Sequence, residues 1–572
     1  MTKRGQIRAL FLTACFLEQA FGWEAPKTIL ELQPFRQSNS VRIVTKTGRV
    51  GTANLVNLHP AINVWYVLKI AWQDGSLEAA YHLENPAPQT RKLVLDEKYA
   101  SGLVIVEGTN RYPCDVLGSK DFELGKASPL IYFPLCDGRI YLRKAAAGQR
   151  STLEATTEFL RERIWGGESI IDMGHMILGD SYREIGKIQS AAPANARKSA
   201  EFPLPALIDS KYADRALTSG NLGIALEESD RTGMIPGTWH VASGNPGVYV
   251  SILQPNFIDP AILRSYGTVV NNLDSVEAAS LCYLIAFDLS RFELAYGLGT
   301  DYPGVGWSRR VPEERKDPQL PGPDGFNNIR PLVATGLIRS DDASKTVATF
   351  TGGFKRTHGA FKYGDLALRN HGSHYGFIEN GVVFSTLQPG LATIFVLDDS
   401  SVEMKTWADS DNRLLPRIRY ARQNGVPLIE SDGVSQGSVP GPLVGRWGPG
   451  NWSGSENSKL RTMRSGAALQ RSHGKLFLIY AVFSDATPSA MARVFQAYRC
   501  DYALLLDMNA LEHTYAAVYR RSGSQSIVDH LLKGMSVLEK SSSGELVPRF
   551  LGYADNRDFF YLMRRNGKET KP

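Results

Sequence analysis

Two apolar runs in the last third of the chain decide the predicted fold of its larger domain. Residues 476–483 read LFLIYAVF, and residues 502–506 read YALLL and lead directly into Asp507. A continuous apolar run of this length is typical of a strand that is buried on both faces. Between the runs, Thr487 and Pro488 form the N-cap and the first position of a predicted helix. A strand, a helix and a second strand in this order predict a parallel crossover within one sheet.

The first part of the chain has the composition of strands. Residues 63–72 (NVWYVLKIAW) are rich in β-branched and aromatic side chains. Residues 130–142 predict a hairpin with a turn at Asp137-Gly138, and residues 151–154 (STLE) have the spacing of a capping box that opens a helix. The sequence therefore predicts an α+β or mixed α/β protein, with a β-rich N-terminal domain and a C-terminal domain built on a mixed sheet.

Turn and cap signals organise the stretch between these regions. Asn380-Gly381 lies between two apolar segments and predicts a β-hairpin with a two-residue turn. Asp274 is placed to cap a helix. Asn424-Gly425 has the composition of a helix C-terminus, and the apolar segment directly after it predicts a strand.

Composition places the chain among ordinary globular proteins. Of 572 residues, 43% are hydrophobic and 21% are charged, which excludes collagen, coiled coils and bulk disorder. The formal net charge is +6, spread over the whole length, so nucleic acid is not a predicted partner. No run beyond the N-terminus approaches the roughly 20 apolar residues that span a bilayer, so no transmembrane segment is predicted.

The N-terminus predicts an export signal. Lys3, Arg4 and Arg8 precede the apolar residues 9–16, and residues 20–22 (AFG) have small side chains at the spacing that a signal peptidase reads. An ordinary N-terminal helix is the alternative. With the signal, the protein is predicted to be exported, either to a periplasm or into the medium.

Changes in composition predict the domain boundaries. We assign residues 1–22 to the signal peptide, 23–190 to the β-rich N-terminal domain, 191–235 to a linker and 236–572 to the C-terminal domain. The linker begins with small residues and prolines and has no hydrophobic periodicity. The sequence leaves the oligomeric state open.

The cysteines indicate the redox chemistry. Cys15 would leave with the signal, and the remaining four form no CxxC pair, so zinc knuckles and thioredoxin-type chemistry are not predicted. Cys114 and Cys136 flank one strand-rich stretch and would form a disulfide in an oxidising compartment. Two buried free thiols are the alternative.

Asp507 is the first candidate for a catalytic residue. A carboxylate directly after a buried strand lies at the end of the sheet where α/β folds bind ligands, and low dielectric there tunes it for acid or base chemistry. The alternative is a helix cap, with the helix beginning at Met508. Glu512 and His513 follow within two turns and would complete a catalytic site or form a solvated surface.

A glycine pair and an arginine are candidates for binding an anion. Gly352 and Gly353 follow an apolar strand, and two glycines allow backbone amides to approach a phosphate closely. A plain turn is the alternative. Arg464 leads toward the apolar run at 476–483, and a guanidinium there would bind a phosphodiester through two hydrogen bonds. An ordinary surface arginine is the alternative for that residue.

Two further patterns concern nucleophilic and metal chemistry. Residues 433–437 (GVSQG) match the GxSxG nucleophile elbow, but the prolines that follow exclude the helix that this motif requires. His358, His371 and His374 would donate protons in a cleft, or bind the metal of a hydrolase, although HExxH is absent. No cofactor motif is found, and the sequence leaves a bound Ca²⁺ open.

In their order along the chain, these elements resemble the phosphodiester glycosidase domain family, to which the uncovering enzyme belongs. The resemblance covers about residues 348–520 and consists of a strand into a glycine pair, a hairpin, an Asp-Gly motif, an arginine before a long strand, and a strand ending in aspartate. Thr351 stands where the family has asparagine, and residues 508–510 replace its glycine run. The positions that do match the family's motifs are Gly352, Gly353, Asp432, Arg464 and Asp507.

The resemblance implies a hydrolase that acts on a glycosyl phosphodiester or a related cell-envelope glycan, with a carbohydrate or sugar phosphate as substrate. Enzymes that cleave glycosides usually use two carboxylates. The candidate catalytic residues are Asp507, Asp432, Glu512 and His513. The candidate substrate-binding residues are Thr351, Gly352, Gly353, His358 and Arg464. The altered residues after Asp507 favour a second hypothesis, a non-catalytic protein that binds glycans or the envelope on a degenerate glycosidase fold.

Overall fold

A computed structural model describes most of the chain between residues 37 and 565. The predicted signal peptide, the start of the linker and most of the helix predicted after residue 151 lie outside the described residues. The described residues are 37–58, 60, 63–76, 79–99, 102–117, 119–144, 148, 155–156, 159, 184–190, 202–227, 233–300, 313–315, 335–354, 376–431, 438–446, 460–522, 525–542 and 545–565.

The N-terminal part of the described chain consists of strands and one short helix. Its elements are β1 (Gln37–Val44), β2 (Val50–Asn57), β3 (Trp65–Trp72), β4 (Ala79–Glu84), β5 (Arg91–Leu95), β6 (Leu103–Glu107), β7 (Asn110–Pro113), α1 (Asp121–Ala127), β8 (Tyr132–Leu135) and β9 (Ile140–Arg143). One six-stranded sheet has the order β1-β2-β3-β4-β9-β8, and β5, β6 and β7 form a three-stranded sheet. These sheets enclose a hydrophobic cluster of their own.

Local sequence signals explain this part well. The predicted hairpin at Asp137-Gly138 is confirmed, because β8 pairs with β9 and both turn residues have positive φ, 59° and 73°. Cys114 and Cys136 form a disulfide, with their Cα atoms 5.6 Å apart. The structure therefore contains the disulfide and not two free thiols at these positions.

The remaining described residues form the larger body of the protein. Its strands are β10 (Lys187–Ser190), β11 (Arg215–Thr218), β12 (His240–Val241), β13 (Val248–Leu253), β14 (Cys282–Asp288), β15 (Phe292–Gly297), β16 (Thr346–Thr351), β17 (Phe377–Glu379), β18 (Val382–Ser385), β19 (Ala392–Leu397), β20 (Val402–Thr406), β21 (Ile418–Gln423), β22 (Pro427–Ser431), β23 (Ser438–Pro440), β24 (Thr462–Ser472), β25 (Lys475–Ala486), β26 (Tyr502–Met508), β27 (Ala516–Ser522), β28 (Gln525–His530), β29 (Lys540–Ser542), β30 (Glu545–Val547) and β31 (Phe559–Arg564). Its α-helices are α2 (Pro260–Arg264), α3 (Ser275–Ala279), α4 (Ser340–Ala343) and α5 (Pro488–Ala497). Short 3₁₀ segments cover Ser210–Tyr212, Pro255–Phe257, Glu313–Arg315, Asp409–Arg417, Val444–Arg446 and Lys533–Leu538.

Three sheets build this body. The largest has eight strands in the order β12-β13-β14-β25-β24-β26-β22-β23, and two five-stranded sheets have the orders β15-β31-β16-β27-β28 and β18-β17-β21-β19-β20. Two-stranded sheets join β10 to β11 and β29 to β30. Between the strands that the structure describes, every pairing is antiparallel.

The eight-stranded sheet is covered on both faces. On one face α5 packs against β24, where Met491 and Phe495 leave no room for a side chain at Gly466. On the other face the β15–β28 sheet packs against β25, with the rings of Phe350 and Tyr480 4.6 Å apart. This double burial explains why β25 and β26 read as continuous apolar runs.

The predicted fold class, α+β or mixed α/β with a mixed sheet, is wrong. The described chain is β-rich and its sheets are antiparallel. The crossover prediction placed β25 and β26 side by side, but β24 lies between them and pairs antiparallel with both. The reason is the tight turn at His473-Gly474, where both residues have positive φ, 49° and 78°. This turn reverses the chain, so β24 and β25 form a hairpin and β24 occupies the position next to β25.

The helix predicted to end at Asn424-Gly425 is also wrong. The segment before it is the strand β21, which pairs with β19 and β17 in the third sheet. Gly425 has the positive φ of a helix-terminating glycine, 66°, but uses it to turn the chain into β22. Helix C-termini and strand-to-strand turns both place glycine in the left-handed region, so the sequence signal does not distinguish them.

The described end of the predicted linker packs on the larger body. Leu204 accepts a hydrogen bond from Trp239 Nε1 at 2.9 Å and donates its N–H to Gln470 Oε1 at 2.8 Å. β11 pairs with β10, which belongs to the predicted N-terminal domain. Within the described residues, no helix combines the length and apolar character of a transmembrane helix.

Candidate functional site

The glycine pair after β16 is held tightly against polar side chains. Gly352 donates its N–H to the carbonyl of Asp558 at 2.9 Å, and a Cβ on Gly352 would lie 2.6 Å from Asp558 Oδ2. Gly353 has φ 130°, and a Cβ there would lie 2.9 Å from Asn424 Oδ1. Both positions therefore require glycine, one for close packing and one also for its backbone conformation.

Asn424 connects this turn to the end of β26. Its side-chain nitrogen donates to the carbonyls of Leu505 and Leu506, at 2.6 and 2.7 Å, and its Oδ1 accepts from Phe354 N at 3.1 Å. The residue is fully buried. The ends of β16, β21 and β26 consequently meet at one end of the packed sheets.

Asp507 lies at this meeting point and is 4% exposed. Its Oδ2 accepts a hydrogen bond from Arg557 Nη1, which completes a buried ion pair, and its Oδ1 accepts from Met508 N at 2.8 Å. No helix begins at Met508, because β26 continues through it. The guanidinium favours the ionised form of the carboxylate.

Asp558 provides a second buried carboxylate beside the glycine pair. Its Oδ2 accepts from Tyr296 Oη at 2.8 Å and from Arg422 Nε at 2.5 Å, while Arg422 Nη2 also binds the carbonyl of Phe354 at 2.6 Å. Asp558 is 1% exposed, and its Oδ1 has no hydrogen-bond partner among the described residues. The oxygen that adjoins Gly352, Oδ2, therefore has two partners, and the other oxygen of the same buried carboxylate has none among the described residues.

Buried hydroxyl groups join the two sheets below Asp507. Ser465 Oγ donates to the carbonyl of Asp507 and accepts from its N–H, both at 3.1 Å. Thr351 Oγ1 donates to the carbonyl of His513 at 2.6 Å. Burial raises the pKa of Tyr480, whereas hydrogen bonds with Ser465 and Thr351 lower it, so the phenol is neutral at physiological pH.

Arg464 is not brought to the carboxylate of Asp507. It is fully buried, with Nε donating to the Ala486 carbonyl at 2.8 Å, Nη2 to the Leu460 carbonyl at 3.0 Å and Nη1 to Met508 Sδ at 3.2 Å. Burial lowers the pKa of its guanidinium to about 9. Asp507 and Met508 are successive residues of β26, so their side chains point to opposite faces of the sheet. Because Arg464 contacts Met508, it lies on the face opposite Asp507.

Glu512 and His513 lie in the turn that leads from β26 toward β27. Glu512 is 7% exposed, and its carbonyl accepts from Arg549 Nη1 at 2.9 Å. His513 donates its Nδ1–H to the carbonyl of Met508 at 2.7 Å. These two candidates are therefore close to Asp507 along the chain and are held mainly by backbone contacts that the structure describes.

The remaining sequence candidates lie outside the described residues. These are Asp432 and His358, together with His371 and His374 of the metal alternative. Within the described part of the chain, no group of three or more His, Cys, Asp or Glu side chains could hold a metal ion.

The sequence analysis missed the side chains that hold Asp507 and the glycine pair. A weak signal was present, since residues 555–558 (DNRD) place four polar residues directly before the apolar strand β31. Polar groups that are themselves buried need hydrogen-bond or ionic partners, so this run was a possible source of partners for Asp507 and the glycine pair. The missed residues are Tyr296, Arg422, Asn424, Arg557 and Asp558.

Comparison with known proteins finds only distant structural similarity. No family model and no curated protein matches the chain. Similar solved structures include the catalytic domain of zebrafish N-acetylglucosamine-1-phosphodiester alpha-N-acetylglucosaminidase, auto-inhibited by its pro-peptide, with 10% identity, a TM-score of 0.28, and coverage of 66% of this chain and 100% of that chain. They also include a Burkholderia pseudomallei K96243 protein named "Putative exported protein", with 10% identity, a TM-score of 0.21, and coverage of 52% and 76%. At these TM-scores the similarities do not assign an activity to this chain.

Proposed function

We propose that the protein is a hydrolase of a glycosyl phosphodiester or a related cell-envelope glycan, with Asp507 as its central carboxylate. The observation that carries the proposal is the meeting of two buried aspartates, Asp507 and Asp558, each against a guanidinium, next to the glycine pair Gly352 and Gly353. Isolated buried charges are costly, so buried ionisable groups gathered at one place are candidates for a functional site.

The arrangement suits the cleavage of a glycosidic C–O bond. Hydrolysis breaks the bond between the anomeric carbon and the leaving oxygen, adds the hydroxyl of water to that carbon and transfers a proton to the leaving oxygen. Asp507, paired with the guanidinium of Arg557, acts as the nucleophile or the base. Asp432, Glu512 and the partly unpartnered Asp558 are the candidates for the acid.

The anionic part of the substrate would bind near the glycine pair. The buried guanidinium of Arg422 provides positive charge at this end of the sheets, whereas the N–H of Gly352 already binds the carbonyl of Asp558. Export is part of the proposal and is supported by the disulfide Cys114–Cys136, since disulfides persist in oxidising compartments.

One observation favours a second candidate, a non-catalytic glycan-binding protein. Asp507 is 4% exposed, and each of its carboxylate oxygens accepts a described hydrogen bond. A carboxylate with these contacts would serve a purely structural role equally well. Turnover separates the two candidates, because a binding protein saturates with glycan and releases no product.

The test is the release of reducing sugar from a synthetic glycosyl phosphodiester, N-acetylglucosamine 1-(methyl phosphate), by the full chain. Asp507→Asn is expected to lower kcat by about 10²-fold or more, the usual effect of losing a catalytic acid or base. Asp288→Asn is the matched control. Asp288 is also fully buried and bound by Lys475 at 3.2 Å, but it pairs with Phe477 at the opposite end of β25.

The outcomes decide between the candidates. Product release that falls with Asp507→Asn and persists with Asp288→Asn supports the enzyme. Equal turnover by wild type and folded Asp507→Asn protein contradicts the role of Asp507. Saturable binding of the phosphodiester without product release favours the binding protein.

A further inference from the structure

A polar cavity of about 190 Å³ lies where the N-terminal sheet meets the larger body. Glu84 and Tyr132 line it from the N-terminal side, and Glu379, Tyr420 and Tyr561 line it from the other side. One ordered water needs about 10–15 Å³, so the space accommodates a ligand of monosaccharide size. The cavity is separate from the residues that surround Asp507.

The ionisable side chains of this cavity are balanced in number, and Arg339 among them is paired with two carboxylates. Its lining holds four carboxylates and four cationic side chains. The innermost cation, Arg339, binds Glu84 Oε1 through Nη1 at 2.8 Å and Asp342 Oδ2 through Nη2 at 3.1 Å. Arg143, behind the wall, lies 3.6 Å from both Glu84 and Glu379. Counted with Glu379 ionised, the lining carries no net formal charge, so a neutral ligand enters it without needing a counter-charge.

Hydrogen-bonding groups remain available inside this balanced lining. Tyr561 is 8% exposed, and its hydroxyl forms no hydrogen bond with the described residues. Arg339 Nε has no partner among those residues either. In contrast, Tyr420 Oη already binds Asn380 Oδ1 at 2.9 Å. Buried polar groups are normally satisfied, so a donor and a hydroxyl left open at one cavity indicate a missing hydrogen-bonding ligand.

We propose that this cavity binds a neutral polyhydroxylated ligand, a monosaccharide or a polyol of similar size. Sugar hydroxyls donate and accept, which matches the hydroxyl of Tyr561, the N–H of Arg339 and the lining carboxylates. Tyrosine rings provide the flat apolar faces against which the C–H face of a sugar packs. The proposal does not depend on a reaction at Asp507.

The test uses the full chain and glucose as the probe, with binding followed by ligand-detected NMR titration. Glucose is expected to bind saturably at millimolar concentration. At about pH 8, where Glu379 is ionised, glucuronate, its anionic analogue, is expected to bind at least tenfold more weakly. Tyr561→Phe removes only the open hydroxyl and is expected to weaken glucose binding about tenfold, the value of one hydrogen bond.

Two variants serve as controls. Tyr502→Phe, at a tyrosine that is 6% exposed and lies outside the cavity, is expected to leave glucose binding unchanged. Asp507→Asn is expected to leave it unchanged as well, which separates this site from the proposed active site. The proposal is overturned if glucose does not bind saturably, if a charged analogue binds as tightly, or if Tyr561→Phe has no effect. Should Tyr561→Phe not fold, the comparison of glucose with glucuronate on wild-type protein still decides.

Discussion

Replacing Glu379 by glutamine is expected to remove a loss of stability that wild-type protein suffers as pH rises. Glu379 is 5% exposed at the junction between the N-terminal sheet and the larger body. Burial raises the pKa of its carboxyl from 4.5 to about 7, although the neighbouring Arg143 opposes the rise. The glutamate is therefore largely protonated in the folded protein at mildly acidic pH, and glutamine resembles that form.

The sign follows from proton binding. The folded protein keeps the Glu379 proton up to about pH 7, whereas the unfolded chain releases it above about pH 4.5. The free energy of unfolding contributed by this group therefore falls as pH rises between these two values and is constant above them. One pKa unit corresponds to about 1.36 kcal/mol, so the whole loss amounts to about 3 kcal/mol.

Equilibrium urea unfolding at several pH values measures this loss. The stability of Glu379→Gln relative to wild type is expected to rise by about 2 to 3 kcal/mol between about pH 5 and about pH 8. Glu403→Gln is the control, because Glu403 is exposed on β20 and is expected to show no such change. A difference between Glu379→Gln and wild type that is the same at both pH values would refute the reasoning.

Two further predictions concern the disulfide and the glycine turn. Replacing Cys114 and Cys136 together by serine removes a crosslink between residues separated by 22 positions, and it is expected to lower the free energy of urea unfolding by about 3 kcal/mol; reductant should then destabilise wild type but not this variant. In Gly353→Ala the alanine would have to adopt φ 130°, and its Cβ would lie 2.9 Å from Asn424 Oδ1. This substitution is expected to lower the free energy of unfolding by about 1–3 kcal/mol in the same assay. Gly474→Ala, at φ 78° with no atom within 4 Å of its Cβ, isolates the backbone strain and should cost less; an equal cost would mean that the contact with Asn424 is unimportant.

Signals between neighbours in the chain were sufficient for many individual elements. The capping residue Asp274 predicts α3, and its side chain accepts from Val276 N and Glu277 N. Thr487 and Pro488 predict the start of α5 at the residue where it begins. Asn380-Gly381 predicts the hairpin of β17 and β18, with φ values of 49° and 76°. These features depend on backbone conformations that a few adjacent side chains determine.

The candidate site shows the limit of the same reasoning. The sequence places the glycine pair directly after a buried strand, as it is in the structure, and Asp507 directly after another, whereas the structure has Asp507 as the next-to-last residue of β26. It also singles out Arg464, which the structure holds on the opposite face by backbone carbonyls. The partner that Asp507 has instead, Arg557, lies 50 residues away in sequence.

By itself the amino-acid sequence determined many of the strands, turns and caps, because hydrophobic periodicity, glycine and capping side chains act over a few residues. It did not determine β21, which it assigned to a helix. Only the tertiary structure decided the order of strands in the sheets, with β24 between β25 and β26, and hence the antiparallel architecture. It alone also decided which charges are buried together. Pairings of this kind depend on which distant segments meet when apolar faces are covered, and that choice is a property of the whole fold.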